Sequence, residues 1–396
     1  MSMRVLVLLN RIPWPIKDGG TLSHYNLIAG LYKQGCLLTI AAINTQKHFI
    51  NPETLPHAFT KLGKLHTSYL DNRIKPIAAF RNLFSKKSYH IERFDDYKFA
   101  NMLTNLLQNE TFDWIICDGL YVTPYLSIIK KYSKAKVWLR EHNIEFEIWE
   151  TLALQTKLPI KRWYLKHLAQ KLKNYELQIL NEFDALIALT NYDKNRLVNL
   201  GCIKPILELP VGVELVRTQI NAQPQPFSVF HLGAMDWQPN IQAVTWFVEN
   251  VWSKVITKIP QAVFYIAGKN MPDSFAKYQS KSIKIIGEVD DAIAFMQSKQ
   301  VMVVPLLAGS GIRVKILEGM SIGKAIVSTS LGAQGIYTDN AILIADSASD
   351  FANCIVELLN NTEQAETLGA NAKRIAFEKY DNNKVMEQLL NFYNTL

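Results

Sequence analysis

Cysteine is scarce and scattered: Cys36, Cys117, Cys202 and Cys354 are the only four in 396 residues, and no two share a CxxC spacing. Each lies in an apolar context, which suits reduced core thiols better than disulfides or a metal site. Long hydrophobic runs are missing as well. Val5–Leu9 is five residues long, too short for the apolar core of a secretory leader. No stretch approaches the roughly 18 apolar residues of a membrane-spanning helix, so a cytoplasmic protein is expected. Neither GxGxxG nor GxxxxGK[ST] occurs, and the dinucleotide and P-loop readings lose their signatures. HExxH and acid pairs at metal spacing are absent too, and the one GxSxG string, Gly319–Gly323, falls at the end of an expected helix rather than on a strand-to-helix elbow, which leaves hydrolase and metalloenzyme readings little support. The net charge of +8 comes with no RRM, helix-turn-helix or KH signature and sits in local runs. Nucleic acid is therefore the weakest partner class.

What is present points to an α/β protein of two domains. A chain of 396 residues exceeds one ordinary core, and 48% hydrophobic with 20% charged residues describes a folded chain. The most informative stretch is Val301–Ile336. An apolar run to Leu307 reads as a buried strand, and Gly309, Ser310 and Gly311 as a glycine loop. A helix carrying Arg313, Lys315 and Glu318 follows, stopped by Gly323, and Ala325–Ser328 reads as a second strand. In such a βαβ unit ligands sit at the carboxyl ends of the strands. N–H groups at a helix start attract anions, and Arg313 and Lys315 add two cations there. With Glu318 five residues after Arg313, and so on a different side of the helix from it, the set suits a nucleoside diphosphate: cations for the diphosphate, a carboxylate for ribose hydroxyls.

The same alternation runs through the chain. Arg4–Leu9 is a first strand, Asn10–Gly20 a loop ending in Asp18-Gly19-Gly20, residues 21–34 a helix, and Leu37–Ile43 a second strand. Trp114–Cys117 and Lys136–Leu139 are further strands, the latter running into the polar cluster Arg140-Glu141-His142-Asn143. His142 there can hydrogen-bond a sugar hydroxyl near neutral pH. Ala185–Leu189 is another strand, and Gln219–Pro226, polar with two prolines, reads as the linker. Strands then restart at Val229–Leu232, which enters Gly233, and at Val263–Ala267, which ends at Gly268. Asp381–Leu396 is an amphipathic final helix. Two segments, 72–91 with five Lys or Arg and 157–173 with six, contain no acid and are interleaved with Phe80, Phe84, Tyr89, Trp163 and Tyr164. Basic aromatic segments of this kind lie on anionic membranes or form a solvated helix face whose aromatics enter the core.

These motifs together resemble the GT-B retaining glycosyltransferases of family 4, the "glycosyl transferases group 1". The resemblance covers almost the whole length: the Asp18-Gly19-Gly20 loop, Arg140–Asn143, the Pro210–Val213 turn, His231–Asn240 and above all GSGIRVKILEGMSIGKAIVSTSLGAQGI. It implies two Rossmann-like parallel-sheet domains facing across a cleft. The acceptor domain would span 1–218 and the donor domain 225–380, with the helix 381–396 crossing back onto the former. It implies a nucleotide-sugar donor as substrate, with no cofactor and no metal, and hexosyl transfer with retention to a saccharide or lipid-linked acceptor, as in cell-surface polysaccharide, lipopolysaccharide or glycolipid assembly. Peripheral contact with the inner face of the plasma membrane would follow. By the resemblance, Glu318 holds the donor ribose, Arg313 and Lys315 offset charge on the leaving diphosphate, and His142 contacts the transferred sugar or its phosphate. Gly19, Gly20, Gly233, Gly268, Ser310, Gly311 and Ile312 line the donor site. The first glutamate of the family's E-x7-E motif falls on Ser310, which leaves the donor sugar open. A nucleotide-sugar 2-epimerase of the same fold and a non-catalytic nucleotide-sugar-binding scaffold are the alternative readings.

Overall fold

The computed structural model of the chain describes residues 2–16, 19–215, 224–308 and 312–396. The chain forms two compact units, Met1–Val211 with Val385–Leu396, and Gly212–Lys384. Each is a parallel sheet sandwiched between helices, as two-domain α/β patterning predicts.

The first unit holds seven strands: β1 Arg4–Leu9, β2 Leu37–Thr45, β3 Lys64–Leu70, β4 Trp114–Asp118, β5 Lys136–Glu141, β6 Ala185–Ala188 and β7 Ile206–Glu208. Their spatial order is β3-β2-β1-β4-β5-β6-β7, all parallel. Near-continuous Val, Ile and Leu in β1 reflects burial on both faces. Leu6 and Leu8 enter one core cluster, while Val5, Val7 and Leu9 enter the other, the two-residue period of a strand. The final helix, Asn382–Thr395, sends Val385, Met386 and Leu389 into that second cluster. Tyr393 and Phe392 pack on Trp114 and Trp138, with ring centroids 4.9 and 5.4 Å apart.

The second unit has six strands: β8 Gln225–Leu232, β9 Val263–Ala267, β10 Ile283–Gly287, β11 Lys299–Val304, β12 Ala325–Ser328 and β13 Leu343–Ile344. They are ordered β10-β9-β8-β11-β12-β13, again all parallel. Gln225 and Pro226, expected in the linker, start β8, where Gln225 N–H donates to the Ser298 carbonyl at 2.9 Å. Pro226 is tolerated because it sits near the strand's start. The rest of the linker, 219–223, lies outside the described residues. Between β8 and β9 a helix runs from Gln238 through a wider π turn at Phe247–Trp252 to Lys258.

In both sheets the winding reverses between two neighbouring strands, β1 and β4 in the first, β8 and β11 in the second. At such a reversal the connections leave in opposite directions and open a crevice beyond the strands' carboxyl ends. The sequence motifs follow those strands.

Candidate functional site

In the first unit the crevice is built from the ends of β1, β4 and β5. Gly19 and Gly20 are the first two residues of the helix Gly19–Lys33 that follows β1, so their N–H groups have no partner within the helix. Asp18 lies outside the described residues. Arg140 and Glu141, read as a polar cluster following the strand at Leu139, instead continue β5 and are buried. Arg140 can lie there because its register partner on β4 is Asp118, which neutralises it. Asp118 is fully buried and gathers the whole arrangement. Its Oδ1 lies 2.6 Å from His142 Nε2 and its Oδ2 2.7 Å from His24 Nδ1. Arg140 Nη1 donates to the same carboxylate at 3.1 Å, and Arg140 Nη2 to Ser23 Oγ at 2.7 Å.

Burial opposes ionisation of Asp118, but Arg140 and then the two histidines outweigh it and hold the carboxyl well below its ordinary range. Burial pushes the His142 imidazole down to about 4 despite the neighbouring Asp118. The ring is thus neutral at physiological pH, a hydrogen-bonding group rather than a cation. The ligand atoms of His24, Asp118 and His142 lie within 4.8 Å of one another, the geometry of a metal candidate among the described residues. The guanidinium on the same carboxylate opposes a divalent ion there, and the contacts are hydrogen-bond lengths.

Beside this hub lies a second set of buried acids. Glu176 accepts from the Glu145 and Phe146 N–H groups at 2.9 and 2.8 Å, capping the helix Glu145–Gln155. Burial, with Glu145 and Glu147 nearby, pushes its carboxyl up to about 8 against those two N–H groups. Burial and then Glu176 and Glu145 raise Glu141 well above its ordinary value. A carboxyl raised in the folded state stabilises below its unfolded value near pH 4.3 and loses that contribution as pH climbs through the folded value. Glu176→Gln is therefore expected to gain thermal stability relative to the parent as pH rises from 5 to 8, by several degrees. Paired melting curves at constant salt test this; a difference independent of pH would contradict it.

In the second unit the crevice lies after β8 and β11. Gly233 and Gly268 end β8 and β9, and their immediate role is packing. A Cβ on Gly268, whose φ is +151°, would lie 1.7 Å from the Gly233 carbonyl oxygen. One on Gly233 would lie 2.6 Å from Asn240 Nδ2, which itself donates to the Ala234 carbonyl at 2.8 Å. Ser310 and Gly311 lie outside the described residues, and Ile312 is half-buried beside them. Arg313 is not in the first turn, as read from sequence. It is the residue before the helix Val314–Ser321, because its extended backbone (φ −86°, ψ 92°) is not helical. Its guanidinium sits 5.3 Å from the Trp237 ring centroid, a cation–π contact that aims a charged group while leaving its N–H edge directional. Lys315 Nζ lies 2.6 Å from Glu318 Oε2, one turn away on the same face. Cation and carboxylate are held together there, both partly exposed. His231, behind them, is buried and bonded to the Val303 carbonyl at 3.1 Å, a structural histidine.

Sequence reasoning missed Asp118, His24, Ser23 and Trp237. Asp118-Gly119 ends β4 just as Arg140–His142 ends β5, so the strand-end rule applied to both; reading the strand only to Cys117 hid it. Trp237 stands inside the His231–Asn240 motif, but nothing in its spacing reveals the stack on Arg313.

Residues 226–361 match the family described as glycosyl transferases group 1. An uncharacterized 44.6 kDa protein in the cps region of Klebsiella pneumoniae is 24% identical over 303 residues, covering 74% of this chain and 77% of its own. Among solved structures, sucrose-phosphate synthase from Thermosynechococcus elongatus gives a TM-score of 0.68 at 15% identity over 99% of this chain and 98% of its own. Anabaena HepE in complex with UDP and glucose gives 0.60 at 14% identity over 100% of both. These last two likenesses speak to fold. Fold and matched domain together define the class: the chain has the GT-B fold and carries a glycosyl transferases group 1 domain over residues 226–361.

Proposed function

We propose that the protein transfers a hexose from a nucleotide-sugar donor to a saccharide or lipid-linked acceptor, with retention and without a metal ion, in assembly of a cell-surface polysaccharide or glycolipid. The observation that carries the reading is the trio Arg313, Lys315 and Glu318 at the winding reversal of the matched domain. Glu318 binds the ribose hydroxyls, and Arg313 and Lys315 take up the charge that develops on the departing diphosphate. Preorganised cations act most where charge grows in the transition state, which removes the need for a metal. Gly19, Gly20, Gly233, Gly268, Ser310, Gly311 and Ile312 are the donor-lining residues of this reading, and His142 contacts the sugar or its phosphate. UDP in HepE and the cps-region relative support a UDP-type donor and a polysaccharide setting.

Membrane contact belongs to the same reading. Ile74, Ile77, Phe80, Phe84, Leu158, Ile160 and Trp163 are between 60% and 84% exposed. Of the five aromatics in the two basic segments, only Tyr89 is buried in the core and Tyr164 half-buried. The segments are neighbours, because Lys171 Nζ bonds the Asn82 and Leu83 carbonyls. A groove of about 690 Å³ adjoins them, bordered by Arg73, Lys75 and Arg81 and also by Asp71 and Glu92, with Asp71 pairing Arg73 at 2.9 Å. No helix among the described residues is long and apolar enough to cross a membrane. The protein is expected to co-sediment with vesicles containing phosphatidylglycerol in low salt, and Ile160→Ser with Phe84→Ser to lose at least ~10-fold of that affinity. Equal binding by parent and double variant would remove the contact from the reading.

The function is tested by incubating the protein in EDTA with labelled UDP-, GDP-, ADP- and dTDP-sugars and cell-envelope extracts. One nucleotide is expected to support transfer, giving a product with the donor's anomeric configuration. An inverted product would refute retention. Loss of activity in EDTA would refute metal independence. An epimer formed without acceptor would favour the epimerase reading.

A further inference from the structure

We propose that Asp118 is the positioning residue of the first unit: it fixes His142 as the tautomer protonated on Nε2, leaving Nδ1 as an acceptor for a sugar hydroxyl. The inference rests on the functional reading above and narrows it, since there His142 could serve either the sugar or its phosphate.

The argument is one of proton bookkeeping. The Arg140 guanidinium offers only donors, and its Nη1 sits 3.1 Å from Asp118 Oδ1 and 3.3 Å from Oδ2. Asp118 is thereby an ionised carboxylate, which can only accept. Each imidazole nitrogen facing it must then donate: Nε2 of His142 and Nδ1 of His24. A neutral imidazole carries one proton. With that proton on Nε2, His142 Nδ1 holds a lone pair, and among the described residues it makes no hydrogen bond. A lone pair attracts an O–H and repels a phosphate oxygen. The tautomer therefore decides which part of a nucleotide sugar His142 serves: a hydroxyl of the sugar, not the diphosphate.

The same carboxylate also sets position. Through His24 directly, and through Arg140 and Ser23, it clamps the start of the helix led by Gly19 and Gly20 onto the ends of β4 and β5. The rings of His24 and His142 lie 4.8 Å apart, centroid to centroid, so neither can turn freely. A structural ion pair would need only Asp118 and Arg140. Two histidines on one buried carboxylate, one of them 17% exposed, mark a carboxylate that orients a working ring, as the outer partners of ligand-binding histidines do.

The test reads the tautomer directly. In full-length protein labelled with ¹⁵N-histidine, ring nitrogens are correlated with ring protons between pH 6.5 and 8, and His142 is assigned by its loss in His142→Gln. The expected spectrum shows a protonated-type Nε2 and an unprotonated-type Nδ1. A proton on Nδ1, or on both nitrogens, would overturn the proposal, and the tautomer is read on the parent protein, with folded His142→Gln needed only for the assignment. In Asp118→Asn the Nε2–H population is expected to fall, with kcat for transfer down roughly 10–100-fold and nucleoside-diphosphate affinity within about threefold. Unchanged kcat in a folded Asp118→Asn would overturn it equally. If the parent transfers no sugar at all, the functional reading fails, while the spectrum still decides the tautomer.

Discussion

Arg313→Ala is expected to lower kcat by about 10²–10³-fold while changing thermal stability little. The guanidinium stands just before a helix start, steadied by the Trp237 ring at 5.3 Å. The Trp237 contact matters little to folding: a cation–π pair at a partly open site contributes about 1 kcal/mol. Its worth lies in being aimed before the diphosphate departs, when preorganised charge needs no rearrangement. Trp237→Ala should reproduce a fraction of the loss, since the charge remains and only its aim is relaxed. Initial rates with the accepted donor, set against melting curves of the same preparations, separate the two effects. An Arg313→Ala enzyme with parental kcat would remove Arg313 from the mechanism and shift the burden to Lys315.

Gly268→Ala is expected to be the most destabilising single methyl in the second unit. The new Cβ would stand 1.7 Å from the Gly233 carbonyl oxygen, and the backbone φ of +151° is one that side chains disfavour. Backbone, not a flexible side chain, is the obstacle. Gly233 N–H is bonded to the Ala267 carbonyl and Gly268 N–H to the Gly287 carbonyl at 3.1 and 2.7 Å. Relief must therefore move the ends of β8, β9 and β10 together. Strain and overpacking of this kind together cost about 3–6 kcal/mol, or on the order of 10 °C or more in Tm for a unit of this size. Gly287→Ala is the control. Its φ is +75°, but nothing lies within 4 Å of the added Cβ, so only the left-handed penalty of about 1–2 kcal/mol applies. Equal losses in the two variants would show that conformation, not crowding, sets the cost at Gly268.

The strands were readable because burial on both faces leaves little but Val, Ile and Leu. β1 begins at Arg4 and β12 ends at Ser328, where the apolar patterning places them. The ends of β5 and β8 were misread for one shared reason: tertiary partners override local polarity. Arg140 looks like a loop residue until Asp118 is seen beside it, and Gln225-Pro226 looks like linker until Ser298 supplies its hydrogen bond. The charged trio near position 315 was legible as residue types. Its internal arrangement, with Lys315 on Glu318 and Arg313 on Trp237, depends on where the helix begins, and a sequence pattern blurs that by a residue. Asp118 was the least legible. A single aspartate after an apolar strand carries no signal that residues 94 positions before it and 24 after it converge on its two oxygens.

The measurement that tests the central claim most directly is calorimetric titration of the purified chain, in EDTA, with UDP-, GDP-, ADP- and dTDP-sugars. One base is expected to bind, and Glu318→Ala, which removes the ribose acceptor and leaves Lys315 unpaired, is expected to abolish that binding while folding normally. Binding of no nucleotide sugar, or binding unaltered in Glu318→Ala, would contradict the assignment of the donor site.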